Sequence, residues 1–348
     1  MPDFLRWLLN AAKPGKPLPP GEFLWSPSKH FLFRKCPRAW FFRHYLAQGG
    51  WSDLSAAPSR HAYLLKYLST VDSWMSAAAE ESLTGALQDI SQTTGGIRAA
   101  ELTDAFQIRI SSHLIQARDE LVNRDYQNDP KRTSFYELHC ETGEYRSISE
   151  LLLTIRNRFQ KFFHFWEDSE LAAEIVSLDP LAWRLPPEHR IFPYAGLNIS
   201  LRPWIYAVHQ RFVTAWVFRF CFSDHEYAAL PANGEEYGLP EQVFAAWCQQ
   251  KYPEFEVRIR KIIMTPEGMI NRTEKPLPLN EDFVIQSAFR MLDAAISPDG
   301  IAAEKFPKLK NPEECRGCRF KELCETQPAP EEEAEEKLPP EHNAASGC

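Results

Sequence analysis

The sequence predicts an α/β chain, a mixed sheet flanked by helices with a large helical section ahead of it. Three observations carry this. Helical periodicity dominates up to about residue 171 and includes the amphipathic run "ISELLLTIRNRFQKFFHFWEDSEL" from Ile148 to Leu171. After Pro186 the texture changes, and "LNISLRPWIYAVH" (Leu197 to His209) alternates, with Leu197, Ile199, Leu201, Ile205 and Ala207 on one face. The next run, "RFVTAWVFRFCFS" (Arg211 to Ser223), is almost wholly apolar or aromatic, as a strand buried on both faces requires.

The elements follow in chain order. "MPDFLRWLLNAA" reads as a short amphipathic helix; it carries Asp3 and Arg6 and lacks the long apolar core of a signal peptide. "AAKPGKPLPPGE" is a Pro/Gly linker, so residues 1–22 precede the folded domain. "SPSKHFLFRKCPRAWFFRHYL" starts a helix that Ser26 or Ser28 can cap, and Pro37 kinks or restarts it. From Arg60 to about Gln127 the pattern stays helical, with a break at Thr94–Gly96. The alternating run and the apolar run are joined by a very short link, so an antiparallel hairpin is expected. "LPEQVFAAWCQQKYP" reads as a helix, "FEVRIRKIIM" (Phe255 to Met264) as a third strand, and "EDFVIQSAFRMLDAAIS" as a closing helix. One domain over residues 23–324 is expected, with a helical section at about 52–171 and a sheet core at about 186–296.

Composition excludes some function classes. Of 348 residues, 44% are hydrophobic and 25% charged, ordinary for a globular chain. No apolar run reaches the roughly 18–20 residues of a membrane helix, and a cytoplasmic location is the expectation. The net charge of −8 is concentrated in residues 325–348, where seven glutamates face Lys337. That segment has prolines and no aromatic residue, which reads as a solvated acidic tail. The body is nearly neutral, with its cations in two places: Lys29, Arg34, Lys35, Arg38 and Arg43, and then Lys305, Lys308, Lys310, Arg316, Arg319 and Lys321.

Eight cysteines would suit disulfides, but the chain is long enough to bury a core without them and shows no export signal. Cys140, Cys221 and Cys248 lie in apolar surroundings and read as core residues. "EECRGCRFKELC" instead concentrates Cys315, Cys318 and Cys324. Three thiolates leave a four-ligand site incomplete, and Cys36, in "FRKCPRAWFF", is the candidate for the fourth. A site of this kind would join residues 26–51 to 305–324 in one lobe.

"WSPSKHFLFRKCPRAWFFRHYLAQGGW" followed far away by Cys-x2-Cys-x5-Cys resembles the RecB-like branch of the PD-(D/E)XK nuclease superfamily. It is similar in particular to its iron–sulfur members, which include the CRISPR-adaptation nuclease and the AddB type. The resemblance implies a restriction-endonuclease-like sheet with a helical insertion. It also implies a [4Fe–4S] cluster on Cys36, Cys315, Cys318 and Cys324 that shapes a DNA-binding lobe; zinc is the competing occupant, since four thiolates also suit it. "AYLLKYLSTVDSWMSAAAEESL" is similar to the family's histidine helix, "AGLNISLRPWIYAV" to the strand ending in its first metal-binding Asp, and "VTAWVFRFCF" to its Val-Asp-Trp-Lys-Thr strand.

Active members hold Mg²⁺ or Mn²⁺ on two carboxylates, and a lysine two residues beyond the second falls on the same strand face. In this chain the family histidine falls on Glu80, the first Asp on Trp204, the second carboxylate on Val217 and the lysine on Arg219. Tryptophan and valine cannot ligate a hard cation, and arginine is not a general base. The family's glutamine–tyrosine helix is partly kept as Gln242 with Trp247. No acid lies between Ser200 and Ser223, so shifting the register restores nothing. Asp129-Pro130-Lys131 has an Asp-x-Lys spelling but falls in a polar stretch outside the strand order.

The expectation is a nuclease scaffold without its metal centre, binding DNA or serving as a subunit in a DNA-processing or defence complex. Lys29, Arg34, Lys35, Arg38, Arg43, Arg316, Arg319 and Lys321 are the candidate nucleic-acid contacts. Trp204, Trp216, Phe218 and Phe220 are expected to fill the former cleft as core. Two alternatives stand: a divergent Mg²⁺- or Mn²⁺-dependent DNA nuclease that uses Glu80, Glu188 or Asp224, and a protein-binding scaffold without nucleic-acid contact.

Overall fold

The computed structural model describes residues 23–52, 54–91, 98–139, 145–179, 182–184, 191–201, 204–222, 238–295, 306–309, 315 and 318–326. The N-terminal helix and linker, the acidic tail, Cys140, Glu188, Asp224 and Arg316 lie outside them. The architecture is α/β, with mixed sheets flanked by helices.

Helices lead, as the periodicity predicts. They are α1 (Pro27–Lys35), α2 (Pro37–Phe41), α3 (Ala57–Tyr67), α4 (Val71–Ser91), α5 (Ala99–Asn123), α6 (Ile148–Asp168) and α7 (Leu171–Val176). Ser26, rather than Ser28, caps α1, its side chain accepting from the Lys29 amide at 3.2 Å. Cys36 is extended between α1 and α2, so Pro37 starts a new helix and does not merely kink the old one. The chain continues from α2 through a π-helical turn, Phe42–Leu46.

The strands are β1 (Leu24–Trp25), β2 (Trp183–Arg184), β3 (Ile191–Tyr194), β4 (Leu197–Ser200), β5 (Ile205–His209), β6 (Phe212–Phe220), β7 (Glu256–Met264) and β8 (Met269–Glu274). They form a three-stranded sheet, β1-β4-β3, and a five-stranded sheet, β2-β5-β6-β7-β8. The β3–β4 hairpin turns through Ala195 and Gly196, both at positive φ, the geometry a two-residue hairpin loop favours. The expected hairpin is β5–β6, antiparallel, with Gln210 at φ 53 in the turn. A crossover through α8 (Leu239–Lys251) makes β7 parallel to β6, and β8 returns antiparallel. Helices α9 (Glu281–Ala295) and α10 (Lys321–Thr326) close the described chain.

One sequence expectation is corrected. Residues 197–209 are not one strand with one inward face. Leu197, Ile199 and Leu201 pack with one core while Ile205 and Ala207 pack with the other, and β4 and β5 belong to different sheets. Pro203 falls at this break in the sequence and can donate no ladder hydrogen bond.

The five-stranded sheet separates two cores. On one face Trp204, Tyr206, Val213, Ala215, Val217 and Ile259 pack with α8 and the aromatic segment around Trp40. On the other, Trp216, Phe218, Phe220, Ile262 and Met264 meet α4 to α7. Strand β6 is therefore apolar on both sides, which is why its sequence hardly alternates. Helix α4 is pinned to its end: Ser76 Oγ accepts from the Phe220 amide at 3.0 Å and Asp72 Oδ2 from the Phe222 amide at 2.7 Å. Buried Asp72 also pairs with Arg158 at 2.9 Å.

Candidate cysteine centre and the positions of the nuclease site

Cys36 is the N-cap of α2, and its Sγ accepts from the Ala39 amide at 3.4 Å. Cys315, Cys318 and Cys324 come from the last described segment, whose turns are closed by Cys318 N–H to Cys315 O at 3.0 Å and Cys324 N–H to Phe320 O at 2.9 Å. Phe320 and Leu323 anchor that segment in the core beside Phe42. Each of the four sulfurs lies near enough to the other three to interact electrostatically. All are half-buried free thiols. Among the described residues no three His, Cys, Asp or Glu are already drawn around a single metal ion. Burial raises the thiols of Cys36, Cys318 and Cys324, Cys318 to about 11. The neighbouring sulfurs push in the same direction, while the amides of Ala39 and Arg38 oppose it at Cys36.

Arg38 changes how this centre is read. It was expected on a nucleic-acid surface, but it is 1% exposed. Its guanidinium donates to the side chain of Cys324, reaches Phe306 O at 3.5 Å and lies 5.6 Å from the Phe42 ring centroid. Four metal-bound thiolates would leave a net negative centre, and a buried cation beside them would offset part of it. The donor set and its buried counter-charge thus fit a four-thiolate group.

The other candidate cations divide by exposure. Arg34, Lys35 and Lys321 are exposed. Lys29 is half-buried, donates to Leu24 O at 2.5 Å, and has its pKa lowered to about 8 by burial and then by Lys66. Arg43 is lowered to about 10 by burial and the nearby charge of Arg319. Arg319 donates to Leu68 O. Lys29, Arg43 and Lys66 all bear on His44, whose pKa falls to about 3 mainly through burial. Lys66, on α3, is a member of this cluster that sequence reading missed.

Two of the positions singled out by the nuclease resemblance, Trp204 and Val217, lie side by side. Ile205 pairs with Trp216, so Trp204 continues the register beside Val217, and Val217 pairs with Lys261. Trp204 and Val217 are 1% and 0% exposed, and the Trp204 ring lies 5.3 Å from that of Phe244 on α8. Arg219 follows two residues on with the same parity. Glu80 is not brought to them: α4 packs against the opposite face through Met75, Ala79 and Leu83. Trp216, Phe218 and Phe220 are core, but they alternate onto the opposite face of the sheet, so of the four aromatics expected to fill the cleft only Trp204 lies on the Val217 side.

Lys261 is the residue that sequence reading missed at this place. Its ammonium lies 3.3 Å from Glu241 Oε1 and 2.7 Å from Glu274 Oε2, and Arg272 adds 2.6 Å to Glu274 Oε1. Glu241 and Lys261 are both 8% exposed. A signal was present: Val257, Ile259 and Lys261 share strand parity, so Lys261 had to face inward with them.

The fold and site define an α/β protein with mixed sheets and a four-cysteine lobe. No protein-family model matches the chain. No curated protein matches it either. Among solved structures it is similar to the crystal structure of SSO0001 at 14% identity, over 70% of this chain and 95% of that chain, with a TM-score of 0.27. At that score the likeness carries no argument. Among the described residues no helix is long and apolar enough to cross a membrane.

Proposed function

We propose that this chain is a catalytically inactive RecB-like nuclease homologue of restriction-endonuclease-like topology. Its Cys36, Cys315, Cys318 and Cys324 hold a [4Fe–4S] cluster, and its lobe binds DNA, alone or as a subunit of a DNA-processing or defence complex. The observation that carries the reading is the contrast around the sheet: four mutually neighbouring cysteines with buried Arg38, against apolar Trp204 and Val217 at the metal-binding positions. The gathering of Lys29, Arg43, Lys66 and Arg319 supports an anionic partner, because cations held close repel one another and phosphate relieves that repulsion.

Anaerobically purified protein should be brown and carry iron, and Cys318→Ser should be colourless; stoichiometric zinc instead would refute the cluster. Duplex and single-stranded DNA should bind at low salt, with affinity falling as salt rises, and neither should be cut with Mg²⁺ or Mn²⁺. Absence of binding at low salt would favour the protein-binding scaffold. A second reading, a divergent metal-dependent nuclease, is favoured by one observation: Glu241 and Glu274 converge on Lys261, the register partner of Val217. Metal-dependent cleavage lost in Glu241→Gln would establish it.

A further inference from the structure

A cavity of about 300 Å³ lies between α1 and α9, lined by His30, Phe33, Arg34, Pro37, Phe283, Gln286, Ser287 and Arg290. That is the small end of ligand-pocket sizes, enough for one small molecule and too small for a duplex. Its lining has two guanidinium groups and no carboxylate. Both Arg34 and Arg290 are close enough to bear on His30, whose pKa falls to about 4, first through burial and then through these two charges.

The floor is built and ordered. Trp25 Nε1 donates to Ser287 Oγ at 2.9 Å, and His30 Nδ1 lies 2.7 Å from the same oxygen. His30 is 8% exposed and Ser287 6%. The Phe283 ring stands edge-on to His30 at 4.9 Å between centroids. Phe33, Pro37 and Phe283 give the cavity half-buried apolar lining, and Arg34 and Arg290 are its exposed cations. A flat aromatic group suits that lining, and a phosphate suits paired guanidinium forks beside the Gln286 amide.

We infer that this cavity is a binding site for a mononucleotide, an aromatic base joined to a phosphate monoester, taken either free or as the phosphorylated end of a strand. The site lies away from the Trp204–Val217 positions, and the inference does not depend on the DNA-binding reading. Arg34 and Arg290 hold the phosphate, and Phe283 with Phe33 and Pro37 holds the base.

Calorimetric titration of the full chain with adenosine 5′-monophosphate tests it. The nucleotide should bind more tightly than either adenosine or inorganic phosphate alone. Arg290→Ala should weaken it by about tenfold, the size of one charge-assisted contact, and leave adenosine unaffected. Phe283→Ala should weaken both nucleotide and adenosine, and Arg290→Lys should recover only part of the loss because the fork is gone. Arg118→Ala, exposed on α5 and outside the cavity, should change nothing. A 5′-phosphorylated oligothymidylate binding more tightly than its 5′-hydroxyl counterpart identifies a strand end as the source; equal affinity for the two identifies the free nucleotide. No saturable binding of the nucleotide at millimolar concentration overturns the proposal. So does binding that Arg290→Ala and Phe283→Ala leave unchanged. Salt-dependent DNA binding that survives both variants would leave the DNA-binding reading standing while this one fails.

Discussion

The cysteine lobe and the centre of the five-stranded sheet handle buried charge in opposite ways. In the lobe, Arg38 is buried with its guanidinium turned to the Cys324 sulfur. At the sheet centre, Lys261 is buried with carboxylates on both sides; it pairs in register with Val217, beyond which lies Trp204. One region sets its buried cation against sulfur. The other sets its cation against carboxylates of the chain itself. The difference teaches that one fold buries positive charge in two chemically distinct settings, which respond differently to substitution.

The strongest way to break this comparison is to put the carboxylate back. Trp204→Asp removes a fully packed indole and buries a charge in the space. Loss of a large core side chain alone costs about 3–5 kcal/mol, and an unpaired carboxylate adds to it. Set against a typical stability of about 5–15 kcal/mol, this variant should unfold well below the wild-type denaturant midpoint and cut no DNA. A Trp204→Asp, Val217→Asp, Arg219→Lys variant that stays folded and cleaves DNA with Mn²⁺ would show the sheet centre to be a site only lightly disguised.

Next in size is the buried pair. Lys261→Met leaves Glu241 inside without its cation and should cost about 3 kcal/mol in urea unfolding. Combining it with Glu241→Leu should recover much of that loss, since apolar replacement of a whole buried pair is often close to neutral. If Lys261→Met is silent, the ion pair is not what holds α8 to β7.

These two variants also mark how far the sequence could be read. Strand β6 was legible because Val213 to Phe220 has no polar face to hide, and α6 because Leu151, Ile155, Phe159, Phe162 and Trp166 recur at helical spacing. That Trp204 and Val217 cannot ligate a hard cation was equally legible, since residue identity alone excludes it. The partners were not. Glu241, Lys261 and Glu274 come from three elements, and it takes both the β6–α8–β7 crossover and the β7–β8 pairing to bring them together. Arg38 read as one more surface cation because a run of Lys and Arg does not reveal which member points inward. Strands β1, β2, β3 and β8 are short or polar and leave no periodic signal, and β4 was merged with β5 because both alternate on either side of Arg202-Pro203.

The smallest predicted effect sharpens the contrast through pH. His30 and His44 both belong to the segment that builds the lobe, and burial with surrounding cations lowers them to about 4 and about 3. An unfolded histidine titrates near 6.5. Below that value the unfolded chain binds protons that these two folded imidazoles refuse, so stability is complete above pH ~6.5 and falls as the solution is acidified towards pH ~4. One pH unit below the unfolded value, each histidine should cost about 1.4 kcal/mol. His44→Phe should flatten its share of that slope, because phenylalanine keeps the ring contacts with Trp40 and has no proton to refuse. Lys261 and its two carboxylates supply no histidine to the sheet centre, so acid should loosen the lobe before the sheet. Urea unfolding followed at pH 7 and pH 5.5 in the wild type, His44→Phe and Lys261→Met separates the two. The histidine variant should narrow the gap between the two pH values, and the lysine variant should lower both midpoints without narrowing it. Equal pH dependence in all three proteins would remove the histidines from the argument.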